Sequence, residues 1–86
     1  MPEISRFFGI IIRMYYNDHA PPHVHAEYRG EKALLDFRGN IVRGGIGSKT
    51  AIRLAREWID LHGIELEEDW NLARAGRELK PVEPLK

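Results

Sequence analysis

The stretch His23 to Tyr28 alternates without a break, placing Val24, Ala26 and Tyr28 on one side of an extended chain and His23, His25 and Glu27 on the other. That is the pattern of a strand with one buried face. Arg29-Gly30 then reads as a two-residue turn. Pairing across it sets Glu27 opposite Lys32, Ala26 opposite Ala33, Val24 opposite Leu35 and His23 opposite Asp36, which joins apolar with apolar and acid with base. A chain that carries this hairpin builds an antiparallel sheet around it.

The rest of the sequence extends that sheet and then leaves it. Residues 7 to 16 are rich in β-branched and aromatic side chains, with Ile10, Ile12, Met14 and Tyr16 on one side of a period-two repeat, and read as one central strand. Asn17 to Pro22 holds two consecutive prolines, which cannot donate ladder hydrogen bonds, so it reads as a rigid loop. Arg38-Gly39-Asn40 is a second turn, and Ile41-Val42 a short fourth strand before the glycines 44, 45 and 47. Ser48 suits an N-cap, apolar residues from Ala51 to Leu61 recur at helical spacing, and Gly63 suits a C-cap, so residues 49 to 62 form the best helix. A weaker helix covers 65 to 75, where Leu66, Trp70 and Ala73 share a face. The expectation is an α+β fold, a three- to four-stranded antiparallel sheet followed by two helices packed on one face. With 86 residues there is room for one core, hence a single domain over residues 1 to 80 and an extended tail over 81 to 86 set by Pro81 and Pro84.

The absence of cysteine removes thiolate chemistry, Cys-based metal sites and disulfides, and suits the cytoplasm. The apolar run Phe7 to Ile12 is too brief for a signal peptide core or a membrane span, so neither export nor a membrane partner is expected. Although the formal net charge is zero, residues 38 to 56 hold five bases (Arg38, Arg43, Lys49, Arg53, Arg56) and no acid. Such a local field suits an anionic partner, with nucleic acid as the candidate.

Chemistry concentrates in Asp18-His19-Ala20-Pro21-Pro22-His23-Val24-His25, three of the four histidines and an acid beside a stiff bend. His23 and His25 leave the strand on the same side, so both rings can face one phosphate, one scissile bond or one metal ion. Asp18, or Asp36 across the hairpin from His23, is the candidate orienting partner. The plainer reading is that the histidines simply line a solvent-facing strand. His-x-His supplies only two metal ligands, and a third from Asp18 or His19 depends on loop geometry, so no metal set and no cofactor is assigned. Whether the chain is an enzyme stays open on this reading.

Lys49, Arg53 and Arg56 fall at i, i+4 and i+7 on one helix face, with Arg43 before them across glycines, a stripe suited to phosphates or equally to a solvated face with local ion pairs. Gly44 to Thr50 lacks the spacing of a nucleotide-binding phosphate loop. Trp58 and Trp70 read as core anchors, His62 as a helix-end cap, and Tyr15, Tyr16 and Arg13 as residues within reach of the histidine loop.

Ile4, Phe7, Gly9, Met14-Tyr15, Asp18-His19, Pro21-Pro22-His23-Val24-His25-Ala26, Trp70, Ala73 and the Pro84-Leu85 ending resemble a family of short bacterial proteins classed as a domain of unknown function, DUF4160. The resemblance runs nearly end to end, and the Asp-His-x-Pro-Pro-His-x-His-Ala string carries most of it. It implies a partner, a neighbour-encoded small protein, because members of that family are proposed to be toxins of type II toxin-antitoxin pairs. It also implies that Asp18, His19, His23 and His25 are the positions that carry activity, as catalytic candidates. Arg43, Lys49, Arg53 and Arg56 are then the nucleic-acid-binding candidates. The competing expectation is a non-enzymatic regulatory module that binds DNA or protein.

Overall fold

The computed structural model describes residues 2–86. Its elements run β1 (Glu3–Phe7), β2 (Ile10–Arg13), β3 (His23–Tyr28), β4 (Glu31–Asp36), β5 (Ile41–Gly44), α1 (Lys49–Leu61) and α2 (Gly63–Arg74). The five strands form one antiparallel meander in the order β1-β2-β3-β4-β5.

The expected sheet of three to four strands is therefore one of five. The difference arises in the run from Phe7 to Tyr16, which is a hairpin and not one strand. Phe8 and Gly9 have φ of 51° and 81°, positive values that belong to a two-residue turn whose twist matches that of the flanking strands. Phe7 consequently pairs with Ile10, and Arg6 with Ile11. Arg29 and Gly30, at 49° and 84°, make the same kind of turn between β3 and β4. There the register is the expected one throughout: His23 with Asp36, Val24 with Leu35, Ala26 with Ala33 and Glu27 with Lys32.

One face of the sheet is apolar. Ile10, Ile12 and Met14 from the second strand and its exit, Val24 and Ala26 from β3, and Ala33 and Leu35 from β4 are all buried. They share a core with Trp58 and Ile59 of α1 and Leu66 and Trp70 of α2. Phe7 lies 5.5 Å from Trp58 between ring centroids. Tyr16, expected on the same side as Ile12, is 39% exposed; its hydroxyl donates to the Arg77 carbonyl at 2.8 Å.

Ser48 caps α1, its Oγ accepting from the Ala51 N–H at 3.1 Å, an interaction that stabilises a helix by about 1 kcal/mol. The other end of α1 departs from expectation: His62, not Gly63, is the cap residue, and Gly63 opens α2. His62 closes the joint by pairing its Nδ1 with Glu65 Oε2 at 2.6 Å. Beyond α2 the chain is extended yet packed. Val82 is 6% exposed, its N–H donates to the Ile4 carbonyl at 2.7 Å, and the Trp58 indole donates to the Glu83 carbonyl at 2.8 Å. Among the described residues no helix is long and apolar enough to cross a membrane.

Candidate functional site

The loop from Asn17 to Pro22 leaves the sheet after β2 and returns into β3, and it carries Asp18 back beside the first residues of that strand. Asn17 sits at φ 59°, a left-handed conformation that an asparagine tolerates and that aims the chain toward the two histidines. The Asp18 carboxylate is then divided between two tasks. Its Oδ1 accepts from the His19 backbone N–H at 3.1 Å, and its Oδ2 accepts from His25 Nε2 at 2.9 Å. The same Oδ2 lies 2.9 Å from His23 Nε2.

The two imidazoles differ in their surroundings. His23 opens β3 and is buried, its side chain 6% exposed, because Trp70 of α2 packs on the ring at 5.4 Å. Its Nδ1 lies 2.7 Å from the Pro21 carbonyl. A carbonyl oxygen only accepts, so Nδ1 carries a proton. In the neutral ring Nε2 is therefore the lone pair, and this atom is buried with no hydrogen-bond partner among the described residues. His25 is more open, its side chain 25% exposed, with Tyr15 edge-on to its ring at 4.3 Å. An ionised carboxylate also only accepts, which puts the His25 proton on Nε2.

Burial by itself pushes the Asp18 carboxyl up. The His25 hydrogen bond, attraction to His23 and the His19 N–H outweigh it, and hold the group below the ordinary aspartate range. The site is thus an anion braced between two rings whose centroids are 5.1 Å apart.

The four catalytic candidates are not equivalent. Asp18, His23 and His25 converge, and their ligating atoms all lie within 4.8 Å of one another. His19 does not join them. It is exposed, and with Asn17, Asp18, Ala20 and Arg74 it lines an open depression of about 400 Å³ beside the cluster. Asp36, expected to orient His23, does something else: its carboxylate accepts from the Arg38 and Asn40 backbone N–H groups, both at 2.9 Å, and so ties the β4–β5 turn. The prolines, by holding Asp18 in place and offering the Pro21 carbonyl, take the role given to Asp36. Arg13 hydrogen-bonds Glu27 and not the histidines.

The basic candidates gather elsewhere. Lys49, Arg53 and Arg56 surround a second depression, about 450 Å³, floored by Ile41, Ile46 and Ile52. Arg56 is partly occupied, since its Nε donates to the Gly39 carbonyl at 2.8 Å. Arg43 lies on β5 opposite Leu34, outside that depression. None of these residues lines the depression at Asp18 and His19.

Sequence reasoning missed two groups. Arg74 reaches the depression from the last turn of α2, and Trp70, taken as a core anchor, is also the wall that buries His23. A signal did exist: residues four apart on a helix share a face, so the aromatic position and Arg74 belong together.

Residues 9–71 match the domain of unknown function DUF4160. The chain belongs to that family. The matched stretch of this DUF4160 protein runs from the β1–β2 turn into α2 and takes in Asp18, His19, His23, His25 and Trp70, while β1, Arg74 and the C-terminal segment lie outside it. No curated protein and no solved structure matches the chain. The chemistry open to the DUF4160 site follows from its geometry: an oriented imidazole for proton transfer, a buried lone pair facing a carboxylate, and one cation, Arg74, at the mouth.

Proposed function

We propose that this chain is the toxin of a type II toxin-antitoxin pair, a cytoplasmic protein that acts on nucleic acid through Asp18, His23 and His25 and is held in check by a neighbour-encoded small protein. The observation that carries the reading is the pair of 2.9 Å approaches of Asp18 Oδ2 to the two imidazoles beside an open depression. A carboxylate that accepts a hydrogen bond from one ring N–H fixes the tautomer and leaves the other nitrogen basic. His25, the more exposed ring, is the acid/base of the reaction; Asp18 orients it and His23 fixes Asp18. Arg74 and the exposed His19 ring meet the phosphate at the mouth, where a cation stabilises developing negative charge.

Induction in a bacterial host tests this. The wild type arrests growth, co-expression of the neighbour-encoded protein restores it, and His25→Ala abolishes arrest while its circular dichroism spectrum is unchanged. Losing a positioned acid/base lowers a rate roughly 10²- to 10⁴-fold. Equal growth with and without the wild-type protein overturns the reading.

A second reading has its own observation in its favour: Lys49, Arg53 and Arg56 ring an apolar floor away from the histidines, an arrangement suited to a regulatory module on DNA or on its partner. Salt-dependent DNA binding that is lost in the Lys49→Ala, Arg53→Ala double variant and indifferent to His25→Ala selects it.

A further inference from the structure

We propose that Asp18, His23 and His25 hold a first-row divalent cation of the zinc class. The inference rests on the reading above only in taking this cluster as the working centre; its support is the geometry of the three side chains.

The first support is spacing. Ligands about 2.0–2.1 Å from zinc in tetrahedral or octahedral arrangement stand roughly 3 to 3.4 Å from each other. Asp18 Oδ2 is 2.9 Å from both Nε2 atoms, and all three ligating atoms fall within 4.8 Å. The second support is direction. The approach of His23 Nε2 to Asp18 Oδ2 is close, yet it is not a hydrogen bond, and Nε2 is left buried without a partner. Two atoms that each direct a lone pair at a common third point approach in this way without pointing at one another. Without a cation or a proton between them, a neutral Nε2 lone pair and an anionic oxygen at this distance repel, in a place where water does not screen them. The third support is the far side of the ring. His23 Nδ1 donates to the Pro21 carbonyl at 2.7 Å, and a carbonyl on the distal nitrogen is how proteins fix the tautomer and aim of a metal-bound histidine.

The donor set decides the class. Two imidazoles and one carboxylate suit zinc and its first-row neighbours, whereas magnesium and calcium prefer all-oxygen sites. Three protein ligands leave at least one position open, the pattern of a catalytic and not a structural site. The open position belongs beside the depression lined by Asn17, His19 and Arg74. A water there, made acidic by the cation, supplies the nucleophile for hydrolysis of a phosphodiester. In that state the His25 ring proton, which Nε2 donates to Asp18 in the metal-free chain, moves to Nδ1 so that Nε2 can ligate, and proton handling passes to the bound water.

The test uses the full chain, expressed without a histidine tag, stripped with a chelator and titrated with zinc, with cobalt as a spectroscopic stand-in. The expected result is one equivalent per chain, a rise in Tm on loading, and a cobalt spectrum of nitrogen and oxygen ligation. Asp18→Ala and His25→Ala, both at half-buried positions, keep the apo circular dichroism spectrum. They should weaken zinc binding by more than the roughly 10- to 100-fold that losing an outer partner of a ligand costs. His23→Ala is not needed, which avoids a buried change against Trp70. A wild type that binds no zinc overturns the proposal, as does an Asp18→Ala, His25→Ala double variant that binds with wild-type affinity. Growth arrest is scored separately: zinc binding without arrest keeps the cation site and removes the toxin reading, and arrest without zinc binding does the reverse.

Discussion

Asp69 is almost fully buried, 1% exposed, and its two oxygens fare differently. Oδ1 accepts from the Lys80 N–H at 2.9 Å, while Oδ2 has no partner among the described residues. Burial, with Glu68 nearby, pushes its carboxyl above the ordinary aspartate value despite the Lys80 N–H. A raised folded value means that its contribution to stability is complete below about pH 3.8 and is lost as pH rises through the folded value. Asp69→Asn, which retains an acceptor for Lys80, should therefore gain on the wild type as pH rises from about 3.8 toward neutrality, as read by urea midpoints. A difference that is constant across that range contradicts this. Asp18 shows the opposite balance, its charged form held by two imidazoles. At this scale the candidate cluster was legible as a neighbourhood, because Asp18, His19, His23 and His25 crowd into eight positions, but not that His19 stands apart from the other three. Which of the two acids, Asp18 or Asp36, serves them was open in the sequence: Asp36 has the right register, yet its carboxylate is used up by local N–H groups that pairing rules do not count, and Asp18 meets both rings.

Among the elements, the two short hairpins make an instructive pair. Arg29-Gly30 was legible because a cleanly alternating strand precedes it and pairing across it matches apolar with apolar and acid with base, and the whole β3–β4 register followed from it. Phe8-Gly9 has nearly the same φ angles but was concealed, since an aromatic residue in an apolar run reads as strand. Phe8 is 60% exposed and holds a left-handed conformation that a bulky side chain adopts at a cost. Asparagine is the residue most at ease before glycine in such a turn. Phe8→Asn should accordingly raise stability by roughly 1 kcal/mol, read as a shift in denaturant midpoint; a loss of stability would mean that the edge-on contact of Phe8 with Phe7, at 6.4 Å, matters more than the backbone. The α1–α2 joint was misplaced by a single residue for a related reason. Gly63 resembles a helix stop, but His62 supplies the break and its pairing with Glu65 fixes it.

Across the whole molecule, the C-terminal segment closes the fold over both the first strand and the helices. Val82 fills the core beside Ile4, and the Glu83 carbonyl accepts the indole N–H of the fully buried Trp58. Shortening the chain after Pro81 exposes the valine site, a loss of about 1.5 kcal/mol, and strands a buried donor, a further roughly 1–3 kcal/mol. A thermal melt should show a destabilised chain, and an unchanged Tm would mean that this segment does not hold the core. The prolines announced an extended segment, whereas its packing depends on contacts distant in sequence that no local pattern carries. The same limit applies to the centre on Asp18, His23 and His25, which combines a loop, a strand and the Trp70 wall of a helix far along the chain. Long-range proton–nitrogen spectra of the imidazole rings, recorded on the metal-free chain at alkaline pH, test whether these side chains form one unit. The account predicts a proton on Nδ1 of His23 and on Nε2 of His25, with the signals of both rings displaced in Asp18→Asn. A His23 proton on Nε2, or rings indifferent to Asp18, would contradict it.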